Sequence, residues 1–127
     1  MNEEIYYHSF LNRDRLVHIV DPDSATCEAL SVLFRLEGFQ TSFSIDAPSF
    51  LAAIERRRPD VVVANIVVGD ESGIMLLRRI KAMRTGTPVF IMADQADVRH
   101  AVNAMKLGAS DVITKPLDTE HLLAAVR

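Results

Sequence analysis

The sequence predicts an α/β protein: a doubly wound sheet of five parallel strands, order 2-1-3-4-5, covered by helices on both faces. Two observations carry that expectation. Runs such as Leu16-Val17-His18-Ile19-Val20 and Val61-Val62-Val63-Ala64 are apolar with little or no alternation, as parallel strands buried on both faces require. Strand and helix patterns then follow one another five times with short connections, so right-handed crossovers return each strand parallel to the last. This order sets the ends of the first and third strands side by side, where open sheets carry their chemistry. Asp21, Asn65, Ala93 and Lys115 are therefore expected on one rim.

A chain of 127 residues, 49% apolar and 24% charged, suits one soluble domain with a sizeable core. The expected division is an N-terminal extension over 1–15 and the domain over 16–127. Net charge is −3 with the signs interleaved, which is no electrostatic footprint for nucleic acid. The single Cys27 excludes an internal disulfide and fits a reducing cytoplasm, and no signal peptide or membrane-length apolar stretch is present.

Each element has its own signal. Tyr7, Phe10 and Leu11 fall at helical spacing, so either a short N-terminal helix or a frayed arm precedes the first strand, Leu16 to Val20. Asp21 is expected to cap the first helix, with Pro22 at its first position and Asp23 where the dipole favours an anion. Leu30, Leu33 and Phe34 form its inner stripe, and Gly38 stops it. Phe39, Thr41 and Phe43 alternate with Gln40, Ser42 and Ser44, a strand with one wetter face near an edge. Asp46-Ala47-Pro48 opens a helix carrying Phe50, Leu51 and Ile54; Arg56 to Arg58 sit at its end and Pro59 stops it. After the Val61–Ile66 strand and a loop, a helix from about Ser72 to Met83 turns Ile74, Leu77, Ile80 and Met83 inward. The fourth strand is Pro88 to Met92, followed by a loop from Ala93 to Ala96. Val98, Ala101, Val102 and Met105 stripe the fourth helix, capped by Gly108. Asp111 to Thr114 is the fifth strand, Lys115-Pro116 breaks it, and a last helix buries Leu122, Leu123 and Val126.

VHIVDPD at 17–23, the loop ending in Ser72-Gly73, AVNAMKLGASDVITKP at 101–116 and the final helix together resemble the CheY-like receiver domain of bacterial response regulators. The likeness spans roughly 15–127 and is closest to the FixJ type. It implies a flavodoxin-like fold. It further implies two adjacent acids after the first strand and an aspartate ending the third, which bind magnesium. The strand-three aspartate takes a phosphoryl group from a histidine kinase. A hydroxyl residue ending strand four, an aromatic in strand five and a Lys before a cis-capable Pro read the phosphate. Against that pattern Asp21 matches the first acid, but Pro22 stands at the second, Asn65 at the phosphoacceptor, Ala93 at the hydroxyl and Val112 at the aromatic. Lys115-Pro116 is kept.

Acyl phosphate formation needs an anionic carboxylate oxygen, and the neutral Asn65 amide offers none. Magnesium prefers carboxylates; with Asp21 facing Lys115 alone, a direct ion pair can replace the metal without net charge, so magnesium at Asp21 is expected to be weak at best and no cofactor is expected. Asp23 belongs to the first turn of its helix. Asp70 and Asp94, in the rim loops, are the alternative acceptors, with solvated carboxylates as the bland reading. Four histidines and Cys27 show no metal-ligand spacing, and His18 reads as a satisfied core histidine. No glycine-rich phosphate loop, G-x-S-x-G elbow or Cys/His pair supports an enzyme.

The expectation is a pseudo-receiver that regulates an output by association with a protein partner or a second copy, without phosphotransfer despite its relation to histidine-kinase pathways. The resemblance places such contacts on the fourth helix, fifth strand and fifth helix, a face with Arg99, His100, Asn103, Lys106, Asp111 and His121. DNA enters only through an output domain beyond a chain that stops with its last helix. The alternatives are a phosphoacceptor using a non-standard Asp, and a small-ligand sensor using the vacated rim.

Overall fold

A computed structural model describes residues 12–68, 71–83 and 86–126. Its strands are β1 (Leu16–Val20), β2 (Gln40–Ser44), β3 (Val61–Asn65), β4 (Val89–Ala93) and β5 (Asp111–Thr114). The helices are α1 (Ser24–Leu36), α2 (Ala47–Arg56), α3 (Gly73–Ala82), α4 (Val98–Lys106) and α5 (Thr119–Val126). The strands pair in the order β2-β1-β3-β4-β5, parallel throughout. The expected fold class is the observed one.

Alternate residues of each central strand feed two separate cores. Val17, Ile19, Val61, Val63, Phe90 and Met92 meet Phe34 of α1 and Leu122 of α5 on one face. Val20, Val62, Ala64, Val89, Ile91 and Ala93 meet Phe50 of α2, Leu77 of α3 and Ala104 of α4 on the other. Both sides of β1, β3 and β4 are thus buried, apolar but for His18 of β1, which is why their sequences do not alternate.

Several local expectations need correction. Asp23, not Asp21, caps α1: its carboxylate accepts from the Ala25 amide at 3.1 Å, while Asp21 is drawn into the rim by Lys115. Asp46-Ala47-Pro48 opens α2 as expected, and Asp46 caps it, accepting from the Ser49 amide at 2.8 Å. Ala93 ends β4 instead of opening a loop, and β3 closes at Asn65. The loop after β3 contains a short antiparallel ribbon, Val67–Val68 against Glu71–Ser72. Met83 is 38% exposed beyond the end of α3, and Leu76, 1% exposed, takes the inward place.

On α4 the inward residue is Ala104, fully buried, whereas Val102 and Met105 are 49% and 46% exposed. The small side chain lets that helix approach the sheet closely and rolls the larger ones outward. On β2 the polarity is inverted: Phe43 is 41% exposed and Ser44 is buried. His18 explains the inversion. Its two ring nitrogens lie 2.6 Å from the Ser42 hydroxyl and 2.8 Å from the Ser44 hydroxyl, so these serines go in satisfied. The ring also packs tilted on Phe50 at 5.3 Å, and burial lowers its pKa to about 4.

The expected N-terminal helix around Tyr7 lies outside the described residues. Where the chain enters, the Asn12 carboxamide, itself buried, donates to the Glu37 carbonyl at the end of α1 at 3.0 Å. Gln40 donates to the Arg13 carbonyl at 3.1 Å, and the Arg15 guanidinium lies 5.7 Å from the Phe39 ring centre.

Candidate functional site

The carboxyl ends of β1, β3, β4 and β5 form one rim. Its centre is an ion pair: Lys115 Nζ donates to Asp21 Oδ2 at 3.0 Å, with the Asp21 side chain 2% exposed and that of Lys115 24%. The other Asp21 oxygen accepts the Asp23 amide at 2.9 Å, closing the turn that leads into α1. The Asp21 backbone is held too, its amide donating to the Ser44 carbonyl at 3.1 Å and its carbonyl accepting the Cys27 thiol at 3.3 Å. Burial raises the Cys27 pKa to about 11, with the Asp21 charge adding to it.

Lys115 reaches the pair because its own backbone is fixed. Its amide donates to the Ala93 carbonyl at 2.8 Å, extending the β4–β5 pairing by one residue. The Lys115–Pro116 peptide is cis. The two charged side chains come from opposite sides of β3 and span its end.

Asn65 stands at that end. Its side-chain amide donates to the Val67 carbonyl at 2.7 Å, two residues on. A carbonyl oxygen can only accept, so the atom facing it is the amide nitrogen, and a carboxylate in the same pose would set oxygen against oxygen. Asn65 thus shapes the entry to the ribbon. Ile66 follows with its amide on the Met92 carbonyl at 2.8 Å, which keeps the backbone aligned with β4.

The remaining rim positions are mostly apolar or already engaged. Ala93 is buried at 1%, and Val112 packs half-buried against the core beneath α4. Pro22 is exposed. The Asp23 carboxylate accepts the Thr26 hydroxyl at 2.8 Å as well as the Ala25 amide, and the hydroxyl bond is the main cause of its lowered pKa. Asp94 is exposed beyond β4, and its carbonyl accepts the Asp97 amide at 2.9 Å to begin a short 3₁₀ turn. Asp70 lies outside the described residues. Among the described residues no three His, Cys, Asp or Glu side chains come together as a metal set.

The residues expected on a second surface lie on α4, β5 and α5, and Asn103 and Lys106 also line a groove with Ile74 and Arg78 of α3. Arg99, His100, Asn103 and Lys106 are exposed on α4. Asp111 and His121 join β5 to α5, with Nε2 of the ring 3.3 Å from Oδ2 of the carboxylate. Val102 and Met105, expected in the core, are exposed on α4 instead. The adjacent Ala101 and Ala104 were the signal that could have shown it, since small residues mark a close helix–sheet approach.

A family profile described as "Response regulator receiver domain" matches residues 17–127. The transcriptional regulatory protein FixJ of Bradyrhizobium diazoefficiens is 36% identical over 110 residues, 87% of this chain and 54% of that protein. The response regulator protein TodT of Pseudomonas putida F1 is 32% identical over 116 residues, 91% of this chain and 51% of that protein. Among solved structures, full-length FixJ from B. japonicum superposes with a TM-score of 0.81 at 35% identity, covering 89% of this chain and 58% of that one. The receiver domain of NtrX from Brucella abortus gives 0.81 at 29% identity, covering 87% and 93%. The chain spans about half the length of these curated relatives.

Proposed function

The chain belongs to the response regulator receiver domain family, and from that membership we propose that it is an atypical receiver, acting by protein–protein association without phosphorylation at the usual position. The observation that carries this reading is the Asn65 amide donating to the Val67 carbonyl. Where the family resemblance calls for an anionic nucleophile, the side chain is neutral and spends its polarity on the ribbon.

The charge balance supports the same reading. Asp21 is neutralised directly by Lys115, and Asp23 is committed to the start of α1. A magnesium ion takes hard oxygen ligands, usually one or two carboxylates among them. The donors described at this rim do not fit it, and no step is routed through a metal. The same ion pair counts against a small-ligand sensor, because each of the two rim charges already has a protein partner. Asp94, exposed beyond β4, is the described carboxylate left as a substitute acceptor.

The output is proposed to be transcription, since relatives such as FixJ carry that description, with any DNA contact made by a domain outside these residues. The association face is α4–β5–α5, including Arg99, Lys106 and the His121–Asp111 pair. No described helix is long and apolar enough to cross a membrane.

Intact mass after incubation with Mg²⁺ and a small phosphodonor, beside a phosphorylatable receiver, tests the proposal. The control gains a phosphoryl group and this chain gains none. A labile added phosphoryl group on this chain overturns the reading, and peptide mapping would then test Asp70, Asp94 and Asp21.

A further inference from the structure

The face of α1 turned away from the core is apolar from end to end. Phe34 and Cys27 point into the sheet and are fully buried. Ala25, Ala29, Val32 and Leu36 lie opposite them within an arc of about 60°, given 3.6 residues per turn. All four are exposed, Val32 at 49% and Leu36 at 71%. Their spacing of four, three and four is that of a coiled-coil seam, with Ala29 and Leu36 at one core position and Ala25 and Val32 at the other.

We infer that this face packs against the same face of a second copy, with the two α1 helices antiparallel about a twofold axis between Ala29 and Val32. Three features select this occupant. In an antiparallel pair Leu36 of one copy meets Ala25 of the other and Val32 meets Ala29, so each large side chain falls on a small one. The pattern is self-complementary, as a twofold interface demands. Glu28 and Arg35 supply the third feature. They are exposed on the same flank, both at the position just before a seam residue. Equivalent flanks face each other in an antiparallel pair, so Glu28 of each copy meets Arg35 of the other, giving two reciprocal ion pairs. In a parallel pair that flank would meet Thr26 and Leu33 and gain nothing.

A contact of one helix against another is small beside standard interfaces, so the dimer is weak and concentration-dependent. This inference goes beyond the association reading: it adds a second face, on α1, to the α4–β5–α5 face proposed above. Its readout is oligomeric state, so it can fail while the phosphorylation test succeeds, and the reverse.

Sedimentation equilibrium of the full chain up to about 1 mM measures it. A monomer–dimer equilibrium is expected, weakened about tenfold by E28R or by R35E, because each reversal turns two attractions into repulsions. The double variant E28R/R35E re-forms both pairs in reversed sense and returns to within about threefold of the parent. A monomer at every concentration overturns the inference; if the Val32 and Leu36 amide resonances then shift on removal of residues 1–11, the face belongs to that segment. A dimer indifferent to both reversals and lost with Met105→Glu also overturns it, moving the contact to α4.

Discussion

Lys115 and Asp21, 94 residues apart in sequence, meet at 3.0 Å across the end of β3. The Asp21 side chain is almost fully buried and that of Lys115 about three-quarters so, which makes the contact more than a surface pair. Removing the cation leaves a buried charge uncompensated. Lys115→Met is expected to cost about 2 kcal/mol, below the usual range for fully buried pairs because the ammonium is partly screened. Urea denaturation measures it. The pair is shown to be energetically idle if Lys115→Met leaves the midpoint unchanged.

Acid should unfold the protein through His18. Burial holds its folded pKa near 4 against an ordinary 6.5. The unfolded chain therefore binds the extra proton first, so the stabilising effect of a neutral His18 is complete above the unfolded pKa and fades as pH falls toward 4. The loss over that window is on the order of 3 kcal/mol. His18→Gln should flatten the denaturation midpoint between about pH 7 and pH 4; an equally steep profile in the variant would assign the effect to another group.

Restoring a carboxylate should not restore an acceptor. Asn65→Asp replaces a donor to the Val67 carbonyl with an acceptor, at a cost of about 1–2 kcal/mol. Pro22 still stands beside Asp21, and Lys115 still neutralises it. Unchanged intact mass with Mg²⁺ and phosphodonor is expected, and rapid labelling of this variant would mean the rest of the site is competent.

Gly108 ends α4 with φ of +102°, where an added Cβ meets only the flexible end of Lys81 at 3.2 Å. The strain lies in the backbone, not in the contact. Gly108→Ala should destabilise by about 1–2 kcal/mol in thermal unfolding. Lys81→Ala in the same background should recover little of it.

Much of the fold was legible because it follows from local pattern. The runs at 16–20 and 61–64 could only be strands with two apolar sides, and Asp46 could cap its helix without help from elsewhere. What was illegible depended on partners distant in sequence or on packing depth. Nothing near Asp21 says that Lys115 will claim it and leave the cap to Asp23. The stripe through Val102 and Met105 is as regular as one through Ala101 and Ala104; close approach to the sheet chose between them. The serines of β2 read as a wet face until His18 takes both hydroxyls. At the candidate site the sequence showed which residues stand on the rim, but not the Val67 carbonyl that occupies Asn65.

The Cys27 thiol, fully buried and bonded to the Asp21 carbonyl, has a further consequence. With its pKa near 11 it is almost wholly protonated at neutral pH, and α1 shields it from any reagent. It can react only in the moments when α1 lifts from the sheet, and that same motion uncovers the Asp21–Lys115 pair. The chain's single sulfhydryl is therefore a clock: its labelling rate with a small disulfide counts openings of the rim.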